Sequence, residues 1–325
     1  MSSIRTKGLY LGMLVGLAWG LDTVLLGAMM AESPVFVDAS ARALLLMAFL
    51  HDAFGFAWLA LLLLCKREWP STGRILFEKW GLATVVAAIV GGPLGMSAFV
   101  LGITYAGPAY ASSISVIYPG IGGVLAYLFL KERISRGAMV GIGVSIGGSV
   151  ALGYSSVDLA LHPYFSVGLL LAFGAAVGWA SEGVMIAYAM RRARGHAPER
   201  MRPRQLLAVR FGTSLVIYAL VIMPISGGYR QLMALTSVDV LAFAGISALG
   251  VTSYLAWYKA VQYVGAALGT ALNSTSALWA IVFSWLLLDH EITVYLAVCG
   301  AVIVTGVCLF AFSQRAMAPA NRRHR

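Results

Sequence analysis

The chain has 325 residues, of which 60% are hydrophobic and 11% charged, and its formal net charge is +10 at pH 7. Soluble domains carry about 25% charged residues, so an ordinary water-soluble protein is excluded and a lipid-facing surface is expected. The 36 glycines have no three-residue period, and Cys65, Cys299 and Cys308 lack metal or redox spacing; these features exclude a collagen-like repeat and a disulfide scaffold. The cysteines lie in or at the end of apolar runs and read as small core residues.

A helix crosses about 30 Å of hydrocarbon with about 20 apolar residues. Ten segments meet that requirement, at 8–31, 36–64, 80–105, 109–130, 136–156, 164–190, 205–225, 238–263, 266–288 and 292–312. The first carries Asp22 and precedes nine more, which argues against a cleaved signal peptide. The second is long enough to tilt. Alternating strands of about 10 residues are absent, so a membrane β-barrel is not expected. The predicted fold is an all-α membrane protein of ten transmembrane helices.

Lys and Arg positions predict sidedness. With the N-terminus cytoplasmic, 20 of the 23 basic residues fall on cytoplasmic segments or, like Lys259, near an inner helix end. Arg230 falls outside, while Arg42 and Arg210 lie within spans. Glu32, Asp38, Asp158, Asp239, Asp289 and Glu291 mark the outer connections. Both termini are therefore expected to be cytoplasmic, and 314–325 reads as a basic tail. Topology and anionic lipid heads account for the positive charge without nucleic acid.

The two halves resemble each other. Trp19-Gly20-Leu21-Asp22 matches Trp179-Ala180-Ser181-Glu182 at an offset of 160, and Tyr105-Ala106-Gly107 matches Tyr263-Val264-Gly265 at 158. Ile134-Ser135 and Ile292-Thr293 also match at 158. Five spans separate the copies, so the second half should be inverted. Inverted repeats place substrate sites near the bilayer midplane and exchange access between the two sides, which points to a transporter.

Several motifs are similar to those of the EamA-type drug/metabolite transporter family. They are Trp19-Gly20, Arg42 early in span two, Tyr105-Ala-Gly-Pro-Ala-Tyr110 leading to Pro119, and Leu130-Lys-Glu-Arg-Ile-Ser135 before the glycine-rich 137–148 helix. The resemblance covers two five-helix units, 8–156 and 164–313. In the second unit His290 stands where Glu132 stands and Ala277 where Pro119 stands. The resemblance implies that spans one to four and six to nine surround a central cavity, with five and ten peripheral. It also implies a small organic metabolite as substrate.

Charges inside a bilayer cost at least about 2.5–3.5 kcal/mol each, which makes intramembrane ionisable residues functional candidates. Asp22 and Glu182 each follow a tryptophan, Trp19 or Trp179, by three residues, so carboxylate and indole share a helix face. That pairing suits an organic cation through charge attraction and cation–π contact. Alternatively, each carboxylate pairs with a buried arginine or caps a kinked helix. His51 and Asp52 are candidate proton relays together with Asp22 and Glu182; as adjacent residues they point about 100° apart, so at most one is expected to face the cavity. Arg42 and Arg210, early in equivalent spans, are expected to neutralise these acids or to bind a substrate carboxylate. Tyr105, Tyr118, Trp257, Asn273 and Ser276 complete the substrate-binding candidates, with polar glue between helices as the alternative role for the last two.

Gly12, Gly16 and Gly20, and likewise Gly137/Gly141 and Gly143/Gly147, repeat every fourth residue and predict close helix contacts. Gly91-Gly92-Pro93-Leu94-Gly95 and Tyr118-Pro119-Gly120 should break or kink spans three and four.

The expected function is secondary active transport of a small organic metabolite, favoured as a cationic amine, by alternating access with protons as the candidate coupling ion. A zwitterionic amino-acid exporter or facilitator is the alternative. Gly143-Val-Ser145-Ile-Gly147 also fits G-x-S-x-G, making an intramembrane serine hydrolase with His51 as base a remote reading. No P-loop or H-E-x-x-H appears, and no cofactor, metal or catalytic residue is expected. The expected location is the cell (inner or plasma) membrane. The expected partners are the substrate, protons and the lipid bilayer, with a homodimer as a compatible assembly.

Overall fold

A computed structural model describes residues 2–38, 40–115, 117–152, 163–194, 202–288 and 293–316. Among these, all regular structure is helical. Helix α1 is Ser2–Glu32, α2 Ala41–Cys65, α3 Trp80–Ala106, and α4 has two pieces, Pro108–Ser115 and Tyr118–Leu130. They are followed by α5 (Arg136–Leu152), α6 (Phe165–Arg194), α7 (Pro203–Ser226), α8 (Ser237–Val264), α9 (Ala266–Leu288) and α10 (Val294–Ala316). Seven helices, α1, α2, α3, α6, α7, α8 and α9, are long and apolar enough to cross a membrane, and Tyr118–Leu130 and Ala297–Phe310 are shorter apolar helices. The segments around Asp158, Arg200, Asp289, His290 and Glu291, and the tail from 317 onward, lie outside the described residues.

Apolar composition drives these helices and local chemistry sets their ends. The Ser40 hydroxyl accepts the Ala43 N–H to start α2, and Thr236 with Asp239 forms a reciprocal capping box at α8. The matched motifs Tyr105-Ala106-Gly107 and Tyr263-Val264-Gly265 end α3 and α8. Gly107 and Gly265 adopt φ of 83° and 93°, a region L side chains avoid, which turns the chain directly into α4 and α9.

Both α4 and α9 break at the same place in their halves. Pro119 stands at the start of the second piece of α4 and cannot continue the preceding helix. In α9, where Ala277 replaces proline, the pieces Ala266–Asn273 and Ser276–Leu288 are separated all the same. The Thr275 hydroxyl donates to the Leu272 carbonyl at 2.8 Å, an alternative to helical backbone pairing. The expected disruption at Gly91–Gly95 is a π-helical turn, Val90–Leu94, containing Pro93.

The halves interlock by exchanging contacts. Gly8 of α1 packs on Tyr263 and Val264 of α8, while Gly168 of α6 packs on Tyr105 and Ala106 of α3. These are repeat-equivalent residues, so the first helix of each half lies along the third helix of the other. Gly12, Gly16 and Gly20 give α1 the flat face the sequence predicts, covered by Leu272, Thr275 and Trp279 of α9. Gly141 meets Phe310 and Gly306 of α10, whereas Gly143 and Gly147 have no neighbour within 4 Å. The second expected glycine pair therefore makes no helix contact; it falls on the outward face of α5.

Apolar side chains also cover the outside: Leu170 is 70%, Leu241 72% and Phe129 69% exposed. Such a rind is stable against lipid rather than water. At one end, Glu68 accepts from Arg202 at 2.5 Å and from Arg204, joining the α2–α3 connection to the start of α7. Glu132, beyond α4, accepts the Ala266 and Ala267 N–H groups at 3.1 and 3.2 Å and pairs with Arg191 of α6. Its charge thus caps the positive N-terminus of α9.

Two measurements check this packing. A Cβ at position 141 would fall 2.6 Å from the Gly306 carbonyl oxygen, so Gly141→Ala is expected to destabilise the detergent-purified protein by about 1–3 kcal/mol and Gly143→Ala to be tolerated. The Arg204 hydrogen bond holds the Glu68 carboxyl below the ordinary carboxylate range. A depressed pKa stabilises the fold above the unfolded value, about 4.3, and that contribution is lost as pH falls through the folded value. Wild type should therefore lose more thermal stability than Glu68→Gln on acidification below about pH 4.5.

Candidate functional site

A chain of buried ionisable groups crosses the centre of the bundle. Asp22 of α1 stands 3.2 Å from His51 Nε2, and the other ring nitrogen, Nδ1, is 3.7 Å from Asp52. Arg210 of α7 donates from Nη1 to both Asp52 oxygens at 3.1 Å and from Nε to Glu182 of α6 at 3.2 Å. Ser214, one turn beyond Arg210, donates to Asp52 as well. From α8, the Tyr254 hydroxyl accepts Arg210 Nη2 at 3.2 Å and the Tyr258 hydroxyl donates to Glu182 at 3.4 Å. Asp22 is 0%, Glu182 1% and Arg210 2% exposed.

Backbone packing permits this crowding. A Cβ on Gly250 of α8 would collide with the His51 imidazole, and one on Gly91 would collide with the Glu182 carboxylate. The π-helical turn of α3 therefore brings bare backbone against the acid. Rings enclose the charges: Arg210 lies 4.8 Å from the centroids of both Phe211 and Tyr254, and Trp19 contacts Tyr254 and His51 edge-on at 5.7 and 6.2 Å. Trp257 continues the wall, 5.9 Å from Tyr254 and 5.5 Å from Tyr258.

Three carboxylates face one arginine and one histidine. If all three are ionised, the group carries one negative charge in excess even with His51 doubly protonated. Two buried polar atoms nearby on the wall and helix, Asp22 Oδ2 and Trp257 Nε1, have no hydrogen-bond partner. Asp22 Oδ2 is thus a buried acceptor without a donor, and Trp257 Nε1 a buried donor without an acceptor, which leaves hydrogen-bond capacity for a ligand at this place.

The sequence-derived candidates fall into three groups. Trp19, Asp22, His51, Asp52, Glu182 and Arg210 come together, with Trp257 on their aromatic flank. His51 and Asp52 both join the cluster, His51 against Asp22 of α1 and Asp52 against Arg210 and Ser214 of α7. Tyr118 and Asn273 form a second site at the two helix breaks: Asn273 Nδ2 donates to Tyr118 at 2.7 Å, and Trp179 packs on Tyr118 and Phe99 rather than beside the charge of Glu182. Tyr105 packs on Tyr164 at the end of α3, and Ser276 opens the second piece of α9 beside Gly16, so neither reaches the cluster.

Arg42 is also elsewhere. Nine residues before His51, it is about 14 Å along the helix axis from the cluster. Arg210 pairs with Asp52 of α2 instead, so the two arginines early in α2 and α7 do not occupy matching surroundings. Ser145 of the G-x-S-x-G pattern backs onto Gly306, and its hydroxyl has no hydrogen-bond partner, so His51 does not act on it. Among the described residues, no three His, Cys, Asp or Glu side chains are grouped to hold a metal. Ser214 was not among the predicted site residues, whereas Tyr254 and Tyr258 belong to the aromatic-rich set of spans three, four, eight and nine from which cavity-lining residues were expected. Ser214 repeats the one-turn spacing after Arg210, and Tyr254 and Tyr258 share that spacing with each other, which is the signal that marks them.

The arginine carries more of the balance than any acid. Arg210→Met is expected to lower stability in detergent by about 3–5 kcal/mol, since it strands the two buried carboxylates it contacts, Asp52 and Glu182, whereas Asp52→Asn should be milder. The double variant Asp52→Asn/Arg210→Met should lose less than the sum of the two. Thermal unfolding midpoints of the four proteins check both statements.

The sequence matches the EamA-like transporter family over residues 6–154 and again over 166–312. It is 27% identical over 292 residues to Protein LicB of Haemophilus influenzae (strain ATCC 51907 / DSM 11121 / KW20 / Rd), covering 88% of this chain and 91% of that one. A protein of solved crystal structure superposes with a TM-score of 0.69 at 18% identity, over 95% of this chain and 98% of its own, a likeness of fold.

Proposed function

The chain belongs to the EamA-like transporter family, and on that premise we propose that it carries a small organic cation across the cell (inner or plasma) membrane as a secondary transporter. The reading takes the two halves, 8–156 and 164–313, as inverted five-helix repeats of ten spans in all, with both termini cytoplasmic. The reciprocal packing of Gly8 on Tyr263 and Val264 and of Gly168 on Tyr105 and Ala106 supports it, because matched contacts exchanged between the halves are what a pseudo-two-fold axis between them produces. Rocking of the halves about that axis would expose the cluster to one side and then the other.

The single observation that carries the substrate class is the excess negative charge beside an aromatic wall. A monovalent amine or quaternary ammonium group at Asp22 Oδ2 completes neutrality, and Trp19, Tyr254 and Trp257 supply cation–π contact worth about 0.5–2 kcal/mol. Arg210 is already engaged by Asp52, Glu182 and Tyr254, and Arg42 is remote, so a substrate carboxylate has no free partner there. This weighs against the zwitterionic amino acid. Coupling in this reading uses a proton held on the Asp22–His51–Asp52 chain, because a charge-balanced cluster must exchange positive charge when the cation leaves.

Thermal unfolding of the purified protein against choline, tetramethylammonium, glycine and acetate tests the substrate class. Choline and tetramethylammonium at about 100 times Kd should stabilise the native state by about 2.7 kcal/mol, and Asp22→Asn should abolish the effect. Stabilisation by glycine alone would overturn the cation reading. Proton uptake or release on choline binding, measured in weakly buffered solution, tests the coupling; a count of zero removes it while leaving the cation site standing.

A further inference from the structure

Among the described residues, Lys66, Arg67, Arg74, Arg202 and Arg204 gather at one end of the bundle, where α2 finishes and α7 begins, and Arg210 lies in the central cluster, but two others do neither. Arg42 opens α2 at the opposite end, and Arg230 lies in the short helix Gly228–Leu232 after α7. Both line the same pocket of about 300 Å³, together with Met223, Pro224, Gly227 and Tyr229. Gly227 adopts a φ of 70°, and a Cβ there would lie 3.8 Å from Arg42 Nε, so the turn lays bare backbone beside the guanidinium. Tyr229 is held by donating to the Ala219 carbonyl at 2.6 Å, which fixes the ring in the pocket wall.

Two of the described acids at this end are used on neighbouring backbone, and the third, Glu32 at the end of α1, forms no ion pair with either arginine. Asp38 accepts the Ser40 N–H at 3.1 Å, and Asp239 accepts the Thr236 N–H and hydroxyl. Among the described residues, neither Arg42 nor Arg230 has a carboxylate within salt-bridge distance. Two guanidiniums facing one opening repel each other unless an anion lies between them, and the forked donors of arginine match phosphate oxygens in pairs. We propose that this pocket binds a phosphate group, with Arg42 and Arg230 as its two forks, independently of the central cluster and its substrate. The phosphate comes either from a phospholipid headgroup at the bilayer interface or from a soluble phosphate.

Binding of inorganic phosphate and of short-chain dihexanoyl-phosphatidylglycerol to the full chain in uncharged detergent tests the assignment, with potassium chloride at matched ionic strength as the control salt. Either phosphate probe should raise the unfolding temperature several degrees more than potassium chloride does. Arg42→Gln and Arg230→Gln should each weaken binding by at least about tenfold, while Arg74→Gln, at the other end of the bundle, leaves it unchanged. A response to both probes supports a site for the phosphate group itself, and a response to the lipid alone supports a headgroup site. A response no larger than that to potassium chloride, or equal responses in the wild type and both glutamine variants, overturns the proposal. Arg42→Lys and Arg230→Lys keep the charge and remove the fork, so they stand in if a glutamine variant does not fold; their binding should be weakened as well.

Discussion

Everything near the centre of this protein answers to one constraint, the expense of charge in a dry interior. Isolating any one of Asp22, Asp52 or Glu182 in hydrocarbon would cost several kcal/mol. The fold meets this by threading them on Arg210 and His51, so that α1, α2, α6 and α7 are drawn to one point. Glycines at positions 91 and 250 let the backbone close around the group, and Ser214, Tyr254 and Tyr258 take up remaining hydrogen-bond capacity. With all three acids ionised the balance stops one positive charge short, a deficit that a proton on one carboxyl or a bound cation would meet.

Around this point the two halves hold each other rather than themselves. The first helix of each half lies against the third of the other, α5 closes on α10 through glycine contacts, and Glu132 reaches across to cap α9. The paired breaks in α4 and α9 sit beside the Tyr118–Asn273 bond. Helices interrupted at matching depth leave unsatisfied carbonyls and joints where an unbroken rod would have neither.

Much of the architecture was legible in the chain because hydrocarbon imposes a simple rule on composition and length. The apolar runs, the kink at Gly91–Gly95 and the break before Pro119 all follow from residue chemistry that acts locally. The α9 break was hidden because Ala277 stands where the first half has Pro119, so no helix-breaking residue marks it in the sequence. The site was legible as a set of residue types and less so as a set of partners. Arg42 and Arg210 looked equivalent by their place early in a helix, but pairing across an interface depends on depth, and Arg210 lies at the depth of Asp52. Trp179 and Trp19 match in sequence and diverge in surroundings: one faces Phe99 and Tyr118, the other Tyr254 and His51. Periodicity gives a side chain its direction, and only the neighbouring helix decides what it meets.

The bond between Asp52 and Arg210 also ties the two family-matched segments, 6–154 and 166–312, to each other at a buried point. A chain cut between them would strip each of these two buried charges of its partner in the other half, so neither half is self-sufficient as a folded body.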